Sequence, residues 1–134
     1  MITGIAHTAY TCKDMAQSLH FYCDLLGFKK KFSLRDDAGQ PWIEYVEVAH
    51  LQFVELFHNG NTGAAKVPNE TGYNHLCLQV DDIRALSDEL KSKGVVLDVE
   101  VQQGKDFNWQ CWVHDPDGNR IEFMQLSPQS PQMQ

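Results

Sequence analysis

The chain has 134 residues, 43% hydrophobic and 22% charged, a balance typical of one globular domain with a buried core. Its net charge of −7 argues against nucleic acid as a partner, because phosphate backbones attract basic surfaces. No apolar run approaches the roughly 18 residues that a membrane span needs, and no basic segment followed by a long apolar one begins the chain. We therefore expect a cytoplasmic protein that binds neither membranes nor nucleic acid.

The first half of the chain is predicted to run strand, helix, strand, strand, strand. β-branched and aromatic residues recur with period two in the predicted strands, which lie at 2–12, 28–34, 42–48 and 51–57. Asp14, with Gln17 three residues later, is a capping pattern that predicts the start of a helix, and Gly27 is a natural stop. We therefore expect one βαβββ module at 1–58.

Glu55 is an outlier in the last of these strands. Its carboxylate lies in an apolar row between Phe53 and Phe57. A buried acid is costly unless it is paired or bound to a cation. The sequence therefore marks Glu55 as a candidate for ion pairing or metal binding.

The second half repeats the same order of elements. It follows a Gly-, Asn- and Thr-rich segment at 59–71, which predicts a linker. Asp82 is the expected helix cap and Gly94 the expected stop, and strands are predicted at 73–80, 95–101, 108–114 and 119–126. The second module is therefore expected at 72–127. The tail at 128–134 has no periodicity, which predicts disorder.

The two halves each contain a histidine followed by a glutamate at nearly the same spacing. His7 precedes Glu55 by 48 positions, and His75 precedes Glu122 by 47. If the halves are copies of one unit, these four side chains occupy equivalent places in it. Two imidazoles and two carboxylates that face each other would form a site for a divalent metal ion.

Other landmarks support a duplication. Trp42 and Trp109 each stand 13 residues before the glutamate of their half, and Asp14 and Asp82 each stand seven residues after the histidine. An internal repeat explains all of these matches at once. The alternative is two unrelated α+β halves whose landmarks coincide by chance.

Several segments resemble the vicinal oxygen chelate superfamily of glyoxalases, bleomycin-resistance proteins and dioxygenases, and particularly its bacterial glyoxalase I (lactoylglutathione lyase) members. The segments are HTAY at 7–10, SLHFYCDLLGF at 18–28, QFVELFHN at 52–59, YNHLCLQVDD at 73–82 and DPDGNRIEFMQL at 115–126. The resemblance implies an α+β fold in which two tandem βαβββ modules form a half-barrel cup. It also implies a homodimer.

The same resemblance implies a metal centre and a reaction. His7, Glu55, His75 and Glu122 are the expected ligands, and Ni²⁺, Co²⁺, Zn²⁺ or Mn²⁺ would suit them. The metal would stabilise an enediolate as a Lewis acid. Glu122 is the expected catalytic base and Glu55 its partner on the opposite face, and the base would carry a proton between neighbouring carbons.

Substrate contacts are expected at four residues: Asn59, Trp109, Tyr45 and Lys105. Asn59 matches an asparagine that contacts glutathione in the resembling enzymes. Where those enzymes bind the glutathione carboxylates with arginines, this chain has Thr11 and Thr71. The expected substrate is a 2-oxoaldehyde thiol adduct or a related α-oxygenated carbonyl compound, with the identity of the thiol left open.

Two other functions stay open on the same residues. One is another enzyme of the superfamily, such as a fosfomycin-type thiol transferase or an epimerase. The other is a metal-free binding protein of the bleomycin-resistance type. The sequence also leaves open which metal is used, and whether the site lies within one chain or is shared across a dimer.

Overall fold

The structure is a computed structural model that describes residues 1–61, 63, 67 and 69–134. It divides into two compact units, Met1–Val67 and Pro68–Gln134. The division falls inside the segment predicted as a linker, 59–71. Part of that prediction lies outside the described residues, at Thr62, Ala64, Ala65, Lys66 and Pro68.

The first unit folds in the predicted order, and its elements are β1 (His7–Thr11), α1 (Met15–Leu19), a π-helical continuation of α1 (His20–Leu25), β2 (Lys29–Arg35), β3 (Pro41–Ala49) and β4 (Gln52–Phe57). The four strands form one sheet in the order β1-β4-β3-β2. β1 runs parallel to β4, and the other neighbours are antiparallel.

The second unit repeats this plan, with β5 (Leu76–Gln79), α2 (Ile83–Ser92), β6 (Val99–Gln103), β7 (Trp109–His114), β8 (Arg120–Gln125) and a short 3₁₀ helix (Pro131–Met133). Its sheet has the order β5-β8-β7-β6, and β5 is parallel to β8. The prediction of an α+β fold with two βαβββ modules is confirmed.

The helix caps are those that the sequence predicts. The Asp14 carboxylate accepts a hydrogen bond from the backbone N–H of Gln17 at 3.1 Å. The Asp82 carboxylate accepts from two backbone N–H groups of α2. After each helix comes a glycine in the left-handed region, Gly27 with φ 81° and Gly94 with φ 83°. Glycine adopts this conformation without a steric cost, so both helices stop where the chain must turn back to the sheet.

The first strand of each unit is shorter than predicted. The predictions were 2–12 and 73–80, whereas the strands are His7–Thr11 and Leu76–Gln79. Each of these strands has only one neighbour, β4 or β8, and ladder pairing begins where that neighbour begins. The period-two pattern in the sequence continues past the residues that have a partner strand, so it predicts strands that are too long.

The tail at 128–134, for which the sequence predicts disorder, contacts the second unit in the structure and ends in the short 3₁₀ helix. Ser130 is fully buried. The buried side chain of Asn108 donates to Gln132 Oε1 at 2.6 Å and accepts from the Ser127 N–H at 2.9 Å. The tail is held by polar bonds to a loop of the second unit, so it shows no hydrophobic periodicity.

In each sheet, one face packs on the helix and the opposite face carries the candidate glutamate. In the first unit, Tyr10 stacks on Tyr22 of the helical segment, and Tyr10 pairs with Leu56. Because side chains alternate along a strand, Glu55 points away from the helix. In the second unit, the Ile83 N–H of α2 donates to Gln125 Oε1 at 2.9 Å, so Glu122 likewise lies on the face away from α2.

Within the described part of the chain, the helices are too short to cross a membrane.

Candidate functional site

His7 and Glu55 form the first candidate pair, on the face of the first sheet opposite the helix. Glu55 pairs with Ala9 across β1 and β4, and His7 lies two residues before Ala9 on the same face. His7 Nε2 is 3.5 Å from Glu55 Oε1. The imidazole is 47% exposed and the carboxylate side chain only 8% exposed, so the histidine is the accessible member of the pair.

Aromatic side chains shield Glu55 from water. Tyr45 pairs with Glu55 across β3 and β4, and its phenol donates a hydrogen bond to the carboxylate. This bond, with burial and the negative charge of Glu55, raises the pKa of Tyr45. The Tyr45 ring stacks on Phe32 with centroids 4.2 Å apart and meets Phe53 edge-on. Glu55 is thus a buried acid with a phenol and an imidazole as neighbours.

His75 and Glu122 form the equivalent pair in the second unit. His75 Nε2 is 3.0 Å from Glu122 Oε2, and His75 Nδ1 is 2.7 Å from the side-chain oxygen of Asn74. The Asn74 oxygen can only accept, so it orients the ring with Nδ1 as the donor and directs Nε2 to the carboxylate. The Glu122 side chain is 7% exposed.

Cys77 is the cross-strand partner of Glu122 and hydrogen-bonds to its carboxylate. Burial, followed by the charge and the hydrogen bond of Glu122, raises the pKa of the Cys77 thiol to about 12. The sulfur therefore stays protonated at neutral pH and acts as a weak donor to Glu122.

Trp112 occupies the place that Tyr45 has in the first unit, opposite the glutamate. Its ring meets the His75 ring edge-on with centroids 4.7 Å apart. Its indole N–H donates to Gln110 Oε1 at 2.9 Å. The guanidinium carbon of Arg120 lies 4.4 Å from the Trp112 ring centroid. Sequence reasoning missed Arg120, although its place two residues before Glu122 on one strand puts both on the same face.

The donor atoms of both pairs suit a divalent transition metal ion. Each pair offers an imidazole nitrogen and a carboxylate oxygen. Among the described residues, no lysine or arginine nitrogen lies within 4.0 Å of Glu55 or Glu122, so each buried carboxylate has only a histidine as a possible cationic partner. A bound cation would offset the cost of burying these charges.

Each pair by itself is an incomplete metal site. In the part of the chain that the structure describes, no three or more His, Cys, Asp or Glu side chains lie close enough together to hold a metal ion.

Comparison with known proteins identifies the family. The model of the Glyoxalase/Bleomycin resistance protein/Dioxygenase superfamily matches residues 4–123. The chain belongs to this superfamily. The match covers both modules, and it confirms the resemblance found in the sequence.

Named relatives in the superfamily include lactoylglutathione lyases. A probable lactoylglutathione lyase of Synechocystis sp. is 32% identical over 127 residues, which cover 92% of this chain and 95% of the relative. The lactoylglutathione lyase of Pseudomonas putida is 28% identical, over 91% of this chain and 84% of the relative. The crystal structure of a glyoxalase family protein from Enterococcus faecalis matches the fold with a TM-score of 0.78 at 20% identity, over 90% of this chain and 96% of that one.

Of the four residues predicted to contact the substrate, only Tyr45 lies beside a His–Glu pair. It does so through its hydrogen bond to Glu55. Asn59 is exposed beyond the end of β4 and has a left-handed φ of 65°, which asparagine tolerates. Lys105 is exposed in the turn between β6 and β7.

Trp109 lies on the opposite face of the sheet from Glu122. It pairs with Gln125, which accepts from the N–H of Ile83 on the helix side. The guanidinium carbon of Arg84, from α2, lies 5.1 Å from the Trp109 ring centroid. Trp109 and Trp112 are three residues apart, so a period of two sends them to opposite faces. The structure therefore brings Trp112, and not the predicted Trp109, to Glu122.

Proposed function

We propose that this protein is a metal-dependent lyase of the lactoylglutathione lyase type, acting on the adduct of a 2-oxoaldehyde and a thiol. One observation carries the proposal: the same His–Glu pair recurs on the same face of both sheets, with the glutamate buried each time. The lactoylglutathione lyase names of the relatives support the same reaction class.

Four residues would hold the metal ion: His7, Glu55, His75 and Glu122. Ni²⁺, Co²⁺, Zn²⁺ and Mn²⁺ all suit two imidazoles and two carboxylates. When bound, such an ion supplies positive charge that stabilises negative charge on adjacent substrate oxygens. The two pairs would come from one chain or from the two chains of a homodimer. A homodimer is the state that we propose for the active enzyme, with either arrangement of the pairs.

Glu122 would act as the catalytic base. Its carboxylate takes the proton from the carbon next to the substrate carbonyl, and the electron pair of the C–H bond moves toward the carbonyl oxygen. The resulting carboxylic acid returns the proton to the neighbouring carbon, so the reaction is an isomerisation that needs no oxidant. Glu55 would serve as the partner on the opposite face.

The two glutamates differ in their hydrogen-bond donors. Glu55 accepts a bond from the Tyr45 phenol, whereas Glu122 accepts from the Cys77 thiol, a weaker donor. The assignment of the base to Glu122 follows the resemblance to the glyoxalase I members.

Metal titration and an activity assay test the proposal together. The purified protein is stripped with a chelator, titrated with Ni²⁺, Co²⁺, Zn²⁺ or Mn²⁺, and assayed for thioester formation from methylglyoxal and glutathione. We expect one ion per four-residue site and turnover with at least one metal, and His75→Ala should weaken the binding. Failure to bind any of the four ions, or absence of turnover with every one, would exclude this function.

A second candidate is favoured by Thr11 and Thr71, which stand where arginines bind the glutathione carboxylates in resembling enzymes. With another substrate, the same donors would serve a fosfomycin-type thiol transferase or an epimerase. Protection of a fosfomycin-sensitive cell by the expressed protein would identify the transferase. Tight ligand binding by metal-free protein would instead identify a binding protein of the bleomycin-resistance type, which the superfamily also includes.

We also propose that the protein acts in the cytoplasm. Among the residues that the structure describes, Cys12, Cys23, Cys77 and Cys111 form no disulfide bond. Cysteines that stay reduced are typical of a reducing compartment. Fractionation of cells that express the tagged protein tests this location.

A further inference from the structure

Arg120 presents a free positive charge on the face of the second sheet that carries Glu122. The residue is exposed. Its guanidinium carbon lies 4.4 Å from the centroid of the Trp112 ring. Within the described residues, no carboxylate comes within the 4.0 Å of an ion pair with Arg120. The charge is therefore available to a ligand.

Trp112 connects this charge to the candidate base. The indole lies 4.4 Å from the guanidinium carbon of Arg120, and its centroid is 4.7 Å from that of the His75 ring. The distance from the guanidinium carbon of Arg120 to the centroid of the His75 ring is therefore at most the sum of these two distances. His75 Nε2 is in turn 3.0 Å from Glu122. A small organic molecule can span this separation.

The polar groups around Arg120 are engaged with other partners. The Trp112 N–H donates to Gln110, which fixes the indole plane under the guanidinium. The nearby acid Asp98 is already engaged, since both of its oxygens lie 2.9 Å from His114 Nδ1. His114 is the cross-strand partner of Arg120. An arginine that rests a face on an aromatic ring keeps its N–H edge free for a planar acceptor.

We propose that Arg120 is a specificity-determining residue that binds a carboxylate of the substrate, remote from the carbons between which the proton moves. The inference rests on the proposed function, because it assigns a substrate class to the same site. The guanidinium edge donates two parallel hydrogen bonds to the carboxylate, and Trp112 packs against the chain that joins the carboxylate to the reacting carbons. The substrate is therefore an anionic thiol adduct, and its anionic group is recognised from the second unit.

The local charge supports an anion-binding role. The protein carries a net charge of −7, and the site face contains the buried carboxylate of Glu122. An anionic substrate that approaches these charges meets repulsion, which a nearby guanidinium offsets.

The second unit contains a matched control. Arg84 also lies over a tryptophan, with its guanidinium carbon 5.1 Å from the Trp109 ring centroid, but on the helix side of the sheet. Arg84→Gln therefore removes an Arg–Trp contact without changing the face that carries Glu122. Arg120→Lys keeps the charge and loses the planar pair of donors.

Kinetics with two substrates test the proposal. One is the adduct of methylglyoxal with glutathione, which has carboxylates, and the other is the neutral adduct with 2-mercaptoethanol. For Arg120→Gln we expect KM for the glutathione adduct to rise about 10-fold or more with kcat little changed, because a charge-assisted bond is lost. KM for the neutral adduct should not change. Arg120→Lys should give an intermediate KM, and Arg84→Gln should match the unaltered protein. An equal loss with both adducts, or no loss with either, would overturn the proposal.

A binding experiment separates this inference from the proposed reaction. S-methylglutathione and its dimethyl ester are titrated calorimetrically into the metal-free and the metal-loaded protein. We expect the acid to bind more tightly than the ester in at least one of these states, and Arg120→Gln alone to abolish the difference. If the acid binds in this way but no metal supports turnover, the proposed reaction fails and the anion site stands. If the unaltered protein binds acid and ester equally, or binds neither, the anion site is excluded whatever the activity.

Discussion

The two units have the same topology and the same His–Glu pair, yet the neighbours of the pair differ. Phe53 stands two residues before Glu55, whereas Arg120 stands two residues before Glu122. Tyr45 opposite Glu55 corresponds to Trp112 opposite Glu122. The pair of the first unit lies among aromatic rings, and that of the second lies beside a guanidinium and an indole. The candidate metal donors are thus alike in both modules, and the surroundings give each module its own contribution to the substrate site.

The helix-facing sides of the sheets differ as well. Glu44, 11 residues before Glu55, is a buried acid, and the residue at the same offset before Glu122 is the fully buried Cys111. Glu44 binds Lys30 at 2.8 Å and His58 at 3.0 Å, and it accepts a hydrogen bond from the Ser33 hydroxyl. An ionic cluster therefore holds the first unit together where the second has an apolar thiol.

The largest expected effect separates the roles of the two glutamates. Glu122→Gln should lower kcat by about 10³-fold, because loss of a general base costs on the order of 10²–10⁴-fold. Glu55→Gln, which keeps the base, should lower kcat by about 10–100-fold. Rates are compared at saturating metal, with metal content measured for each variant. Equal losses, or a larger loss for Glu55→Gln, would reverse our assignment of the base.

The next effect concerns the acid stability of the first unit. Burial by itself would raise the pKa of Glu44, but the bonds from Lys30, Ser33 and His58 outweigh it and lower the pKa to about 2 from 4.5. Because the folded-state pKa is lowered, the stabilisation is complete above the unfolded value of 4.5 and is lost as the pH falls toward 2. The contribution at neutral pH is about 3 kcal/mol by linkage.

Denaturant unfolding of three proteins measures this contribution. Glu44→Gln should lower the free energy of unfolding at pH 7, and its difference from the unaltered protein should shrink as the pH falls to about 2. Cys111→Ala is the matched control in the second unit. Burial, followed by the charge of Glu100, raises the pKa of the Cys111 thiol to about 11. The effect of Cys111→Ala on the free energy of unfolding should therefore not change over the acid range. A Glu44→Gln effect that is constant with pH would show that the ionic cluster does not stabilise the fold.

A smaller effect is expected from the residue that orients His75. Asn74→Ala removes the oxygen bound to His75 Nδ1 and should weaken metal binding about 10-fold, because partners of a metal-binding histidine hold its ring in place. The equivalent residue of the first unit is Ala6, which has no polar side chain. Competition with a coloured chelator measures both Asn74→Ala and the reciprocal Ala6→Asn. Unchanged affinity in Asn74→Ala would mean that packing alone orients the imidazole.

The smallest effect is expected at Tyr45. Tyr45→Phe removes the donor to Glu55 and should lower the free energy of unfolding by about 1 kcal/mol at neutral pH. The pKa of Tyr45 is raised in the folded state, so its contribution is complete below the unfolded value of 10.0 and is lost as the pH rises through the folded value. Trp112→Phe, the equivalent change in the second unit, removes no titrating group. At alkaline pH, the free energy of unfolding should therefore depend less on pH in Tyr45→Phe than in the unaltered protein. In Trp112→Phe its pH dependence should match that of the unaltered protein.

Some features of the site depended on information that a single segment of sequence does not contain. Alternation shows that Trp109 and Trp112 lie on opposite faces of a strand, but only the register of β7 on β8 shows which of them stands beside Glu122. His58, just beyond the end of β4, is largely buried and lies 3.0 Å from Glu44, which pairs with Leu56 across β3 and β4. Both outcomes depend on pairings between residues that are distant along the chain.

The sequence by itself determined the order of the elements and the equivalence of the four candidate donors. Caps such as Asp14 and stops such as Gly27 act within one turn of helix, so they can be read locally. The internal repeat then related the His–Glu spacing of one half to that of the other. Tertiary structure alone decided where β1 and β5 begin, how Asn108 anchors the tail, and that the Arg120 guanidinium lies over the Trp112 ring. Each of these depends on which strand or loop lies alongside, and no local pattern in the sequence specifies it.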